Sequence, residues 1–174
     1  MLNKIFHWFE SRIHPYPDTE PKTPEKGLFR FIWSSIEGMR RWILVLAFFS
    51  AGIGIMEALL FQFMGKVVDW LSHYSPDVLM AEKGGALAGM ALMLVLFIIW
   101  RFFTNTVRLQ TLQGVFPMRL RWNFHRLMLG QSLSFYQDEF AGRVSAQVMQ
   151  TALAVREVVM TLADMVVYVL VYFL

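Results

Sequence analysis

The chain has 174 residues, of which 56% are hydrophobic and only 17% charged. A water-soluble domain is usually about a quarter charged, so the long apolar blocks here suit a bilayer better than water. The lack of cysteine excludes disulfides and thiolate metal sites. The net charge of +3 is carried by arginines beside apolar segments, which points to membrane-flanking positions and away from a nucleic-acid surface.

Residues 1–13 place Leu2, Ile5, Phe6, Trp8, Phe9 and Ile13 at roughly helical spacing, with Lys4, Glu10 and Arg12 between them. An interfacial helix and a frayed terminus both fit this pattern. A signal peptide does not, because the charges interrupt the apolar run and no small-residue cleavage site follows. Residues 14–27 carry four prolines and alternating charges, the composition of an exposed linker. Residues 28–41 resume an amphipathic pattern, with Leu28, Phe29, Phe31, Ile32, Trp33 and Ile36 apolar and Arg30, Glu37, Arg40 and Arg41 polar. A short helix in the headgroup plane would bury those aromatics and keep the charges wet.

A first spanning helix is expected over residues 42–70, where Glu57 is the only charge between Ile43 and Gly65. Its length is about 40 Å, and Trp42 and Trp70 would mark opposite headgroup levels. Residues 71–85, with Pro76 and a glycine pair, read as a connecting loop. A second span runs from Ala86 to Trp100 and continues as a helix through about residue 131, beyond the membrane, with a kink expected at Pro117. A third apolar block, residues 158–174, ends in mid-helix, so the chain is expected to be a truncated piece. Seven Lys and Arg precede the first span and seven Arg lie between the second and third, against Lys66 and Lys83 between the first two. The positive-inside rule therefore puts the N-terminus and the Arg-rich segment in the cytoplasm.

Residues 119–157 are the most informative stretch. A positively charged helix reaches Gly130, a cap signal stands at Ser134, and Gly142 permits a reversal before a helix from about Val144. Two long cytoplasmic extensions joined by a short transverse helix, residues 135–141, would result. Phe135, Tyr136 and Phe140 give that helix an apolar anchor suited to a groove on another domain.

This segment resembles the first intracellular loop of exporter-type ABC transporters. Leu120, Arg121, Leu127, Phe135, Tyr136, Asp138 and the run Gly142, Arg143, Val144, Ser145 fill the places of that loop's pattern. Gly65, Lys66, Val67, Val68 and Asp69 are similar to a second family motif, at the outer end of the first span. The acidic residue that often follows the loop is missing, with Gln150 and Thr151 near its place. The resemblance implies an all-α fold, a fragment of a polytopic membrane bundle. It would comprise a cytoplasmic segment and linker (1–27) and a partial transmembrane domain (28–174). That domain would hold an elbow helix, spans one and two, the start of span three, and a coupling helix over residues 134–141. Phe135, Tyr136, Gln137, Asp138, Glu139, Phe140, Gly142 and Arg143 would contact a nucleotide-binding domain. The partners implied are that domain, a second transporter half, the lipid bilayer and a transported substrate, with no nucleic acid. The location implied is the cell membrane, the bacterial inner membrane in particular.

The chain has no GxxxxGK[ST] phosphate-binding loop. ATP and magnesium would thus bind in a domain outside this chain, and no catalytic residue or cofactor is assigned within it. His7, His14, His73 and His125 lack metal-ligand spacing, so no metal site is expected. Glu57 and Gln62 are candidates for the substrate pathway, since a carboxylate within a span faces protein or a water-filled cavity. Helix packing is the alternative for Glu57, beside the small-residue ridge of Ser50, Gly54 and Ala58. Asp164 is expected still to be cytoplasmic. Two other classes fit the sequence: an ion-coupled secondary transporter built around Glu57, and a membrane protein whose cytoplasmic hairpin recruits a partner.

Overall fold

A computed structural model describes residues 2–20, 23, 26–138 and 141–174, with no strand among them. The helices are α1 (Leu2–Glu10), α2 (Leu28–Ser35), α3 (Arg40–His73), α4 (Pro76–Thr106), α5 (Val115–Leu129), α6 (Leu133–Asp138), α7 (Ala141–Met160) and α8 (Val167–Phe173). A π-helical segment, Val107–Gln113, joins α4 to α5, and a second, Thr161–Val166, joins α7 to α8. The result is three long rods: α3 and the α7–α8 rod run parallel, and the α4–α5 rod runs antiparallel to both.

The expected loop over residues 71–85 is much shorter. Only residues 74–75 separate α3 from α4. Pro76 opens α4 in its first turn, where its missing N–H has no intrahelical partner to lose, and Asp77 in that turn complements the helix dipole. Gly84 and Gly85 stay helical with open space around them. Near Pro117 the structure has a π-helical stretch ending at Gln113. Gln113 is the residue whose carbonyl an ordinary amino acid at position 117 would engage, and proline cannot donate to it.

The core lies at one end of the rods. Met39, Leu46, Val107, Leu112 and Phe116 are fully buried there, joined by Ala152, Val155 and Val159 from α7. The N-terminal segment completes this core. Ile13 is 3% exposed, α1 packs on the first π-helical segment, and Phe9 and Trp8 meet the Trp42 ring edge-on. Elsewhere the order expected of a soluble protein is inverted, with Leu44, Phe48, Leu92, Val95, Leu96 and Ile98 exposed along α3 and α4. Arg40–His73 and Asp77–Leu129 are long and apolar enough to cross a bilayer.

Residues 14–20 cross α5 as a strap. Most of their side chains are exposed, as a linker's would be, but their carbonyls are held. Arg119 donates to the His14 carbonyl, Trp122 Nε1 to Pro17, and Arg126 to Pro17 and Thr19, at 2.7–3.3 Å. Between α2 and α3 the chain turns at Gly38, whose φ of +82° favours glycine. A Cβ there would also lie 2.5 Å from Arg119 Nη2. Burial in this crowded corner pushes the Arg119 guanidinium below its usual pKa, against the opposing pull of Glu37.

Candidate functional site

Polar side chains from all three rods meet in two layers. In the first, Ser50 Oγ of α3 donates to Asp164 Oδ1 at 2.6 Å, and Arg108 Nη1 pairs with Asp164 Oδ2 at 2.7 Å. In the second, Tyr168 of α8 donates to Glu57 Oε2 at 2.5 Å, while Arg101 Nη1 reaches Glu57 Oε1 at 3.4 Å. Ser50 and Glu57 are two helical turns apart on α3, and Arg101 and Arg108 repeat that spacing on the second rod. The layers are therefore separated by about 10 Å along the rods.

The two layers have the same polarity of exposure. The arginine side chains are 53% and 47% exposed, whereas the Glu57 and Asp164 carboxylates are 23% and 21% exposed. Each carboxylate is thus held inward by a hydroxyl from a neighbouring rod, and each guanidinium faces outward. Glu57 is a partnered carboxylate, consistent with its proximity to the small-residue ridge. Ser50 and Gly54 of that ridge are buried, and a Cβ on Gly54 would sit 3.1 Å from the Tyr168 carbonyl. Ala58 is exposed and lies outside the contact. Gln62, the other pathway candidate, is also exposed. It lies more than a turn beyond Glu57, next to Phe61, whose ring meets Tyr172 of α8 edge-on.

Trp100 packs into a notch on α3. Its Nε1 donates to the Phe49 carbonyl at 2.9 Å, and a Cβ on Gly52 would fall 2.5 Å from its ring. Trp42, in contrast, lies level with Phe9, whose carbonyl accepts from Thr111 Oγ1 at 3.4 Å. Trp100 is therefore some three turns deeper along the rods than Trp42 and does not mark the same end.

A short helix, α6, stands at Leu133–Asp138, starting two residues before the range expected for the transverse helix, 135–141. Ser132, just ahead of it, shares a hydrogen bond with Ser134 at 2.8 Å. Tyr136 donates its hydroxyl to the Met128 carbonyl at 2.5 Å, satisfying a carbonyl in the last turn of α5. The Phe135 and Tyr136 rings meet edge-on at 5.3 Å. Gln137 is exposed and Tyr136 is 39% exposed. Asp138 closes α6, and Glu139 and Phe140 lie outside the described residues. Gly142 and Arg143 do not form the reversal, because α7 already begins at Ala141 and carries both within its first turn.

Sequence reasoning passed over the two arginine partnerships, since Arg101 and Arg108 have no acidic neighbour along the chain. Their partners come from α3 and the third rod. The one legible signal was the equal two-turn spacing of Ser50 with Glu57 and of Arg101 with Arg108. Among the described residues, no group of three or more His, Asp and Glu side chains converges as a metal site.

Over all of its 174 residues the chain is 68% identical to a Haemophilus influenzae protein named as an uncharacterized ABC transporter ATP-binding protein. It spans 28% of that protein's length. No protein-family model matches the chain, and no solved structure matches it. The chain is related to a component of an ABC transporter.

Proposed function

We propose that the chain is the N-terminal part of the transmembrane region of an ABC exporter. α2 acts as the elbow helix, α3 and α4 as the first two spans, and the α7–α8 rod enters the third. α6 is the first coupling helix, where Phe135, Tyr136, Gln137 and Asp138 receive the motion of a nucleotide-binding domain. The N-terminus and α6 are cytoplasmic, and the protein is a multi-pass protein of a bacterial inner membrane. Residues 1–27 form the cytoplasmic N-terminal segment and 28–174 the partial transmembrane domain. ATP, magnesium and the hydrolytic residues belong to a domain beyond this chain, and a second half completes the transporter.

The observation that carries this reading is the helical run Asp77–Leu129. At 1.5 Å per residue its 53 residues extend about 80 Å, roughly twice a bilayer with its interfaces. Its first half exposes an apolar surface suited to lipid, and its second half carries arginines and ends at a short helix with aromatic side chains. A rod that projects so far needs something outside the membrane to meet, and the name of the related H. influenzae protein supplies an ATP-binding partner of the right kind.

The test is a Tyr136→Cys variant of the full-length protein, paired with single cysteines on the nucleotide-binding domain. A disulfide cross-link that changes with nucleotide state is expected. Free labelling of the introduced thiol in the assembled protein, with no cross-link at any paired position, would overturn the assignment of α6.

A further inference from the structure

We infer that the N-terminal strap is a brace that makes α5 and the cytoplasmic start of α3 one rigid unit, so that motion received at α6 reaches the first span. Transmission through the brace rests on the coupling-helix reading above, whereas the brace itself is built from contacts that residues 6–19 make with the rods.

Two parts of the strap take hold of different elements. The first is an apolar anchor. Ile13 is buried in the core with Phe9 packed against it, and Trp8 and Phe9 meet the Trp42 ring of α3 edge-on. The Phe6 ring lies 6.4 Å from Phe102 of α4, and the Arg12 guanidinium stands 3.7 Å over the Trp8 ring. The second part is an arm, residues 14–19. Pro15 and Pro17 keep it out of a helix, which leaves its carbonyls with no helical partner. Arg119, Trp122 and Arg126 supply four bonds to the carbonyls of His14, Pro17 and Thr19. These donors stand at i, i+3 and i+7, along one face of α5.

α5 packs mainly on α7. The arm, through its anchor at Trp42, ties the part of α5 beyond Leu120 to the start of α3. On another face of α5, Phe124 stacks on Phe31 of α2 at 6.3 Å. Apolar contact is non-directional and lets such a pair slide, whereas four directed hydrogen bonds fix the register. A cleft of about 260 Å³ lies between the arm, α2 and α5. The arm is therefore held by these bonds and by the edge contact of Tyr16 with Trp122, not by close packing. Removing the bonds frees it without opening the core.

The test uses the full-length protein in nanodiscs, with any cysteine outside residues 1–174 replaced. Spin labels go at Leu44→Cys on α3 and Leu129→Cys at the end of α5, both exposed positions. Double electron–electron resonance distances are read without nucleotide and in the ATP–vanadate-trapped state. The unaltered strap should give one narrow distance, the same in both states. Trp122→Phe with Arg126→Gln removes three of the four bonds. It should broaden the distribution and make it shift with nucleotide by about 5 Å, one helical turn. Arg126→Lys in place of Arg126→Gln keeps a donor and should narrow the distribution again.

A control pair, Leu44→Cys with Leu92→Cys, should give the same nucleotide-free distance whether or not the arm is released. Broadening there as well would mean general loosening and would overturn the brace. So would a Leu44–Leu129 distance that shifts with nucleotide in the unaltered strap, or one that stays fixed once the arm is released. If the Tyr136→Cys cross-link persists in those cases, the coupling-helix reading stands without the brace. If the cross-link is absent while the distances behave as expected, the rigid unit stands and the coupling helix falls.

Discussion

Arg108 and Asp164 pair at 2.7 Å, and each stands in a π-helical segment of its own rod. π-Helical turns are rare and tend to occur at functional positions. Two of them facing each other across one ion pair is therefore a specific arrangement. Widening a turn shifts the helical register, which changes where the side chains on either side of it point. The pair also takes the Ser50 hydroxyl, so one carboxylate ties all three rods together.

A double-mutant cycle measures that tie. Arg108→Gln and Asp164→Asn should each lower the thermal unfolding temperature in detergent, and the double variant should lose less than their sum. Because Arg108 is about half exposed, the interaction should amount to roughly 1–2 kcal/mol, below the value for a fully buried pair. Strict additivity would mean that the pair contributes nothing to stability.

The notch under Trp100 makes a second case. Gly52→Val should destabilise the protein by about 1–3 kcal/mol, the usual range for overpacking, because its Cβ would meet the indole. Trp100→Leu should relieve much of this when combined with Gly52→Val, while costing stability alone through the lost bond to Phe49. Unfolding temperatures of the four proteins decide it.

The N-terminal strap should protect the first π-helical segment and α5 from solvent. Deleting residues 1–20 removes Ile13 and Phe9 from the core and the acceptors of Arg119, Trp122 and Arg126. Hydrogen–deuterium exchange should then rise over residues 107–126 and remain unchanged over 86–98. Trp122→Phe, which removes the bond to Pro17 and trims the ring that meets Tyr16, should produce a smaller rise near residue 122.

Much of this architecture was legible from local pattern. The apolar run between Trp42 and Trp70, the short helix through Phe31 and Trp33, and the helix through Phe135 and Tyr136 all follow from composition and spacing within a few turns. The short turn at residues 74–75 was not, because Pro76 and the glycine pair are ordinary breaker signals. Pro76 instead occupies a first-turn position that tolerates it, and the glycines sit in a helix continued by the long apolar run from Ala86. The docking of α1 also escaped, since Phe9 and Ile13 depend on Trp42, Leu112 and Phe116 from other elements. The ion pairs joining Arg101 to Glu57 and Arg108 to Asp164 are long-range in sequence, and the matched two-turn spacings within each helix do not by themselves say which residues meet.

These 174 residues contain no cysteine, so once any cysteine elsewhere in the full-length protein is replaced, their topology is directly measurable. Single cysteines at Ser11, Glu82 and Ser132, in the full-length protein in intact cells, can be probed with a membrane-impermeant maleimide. The account predicts that Glu82→Cys labels from outside, whereas Ser11→Cys and Ser132→Cys label only after permeabilisation. Labelling of Glu82→Cys and Ser132→Cys from the same side would contradict it, because the helical run between them would then not cross the membrane.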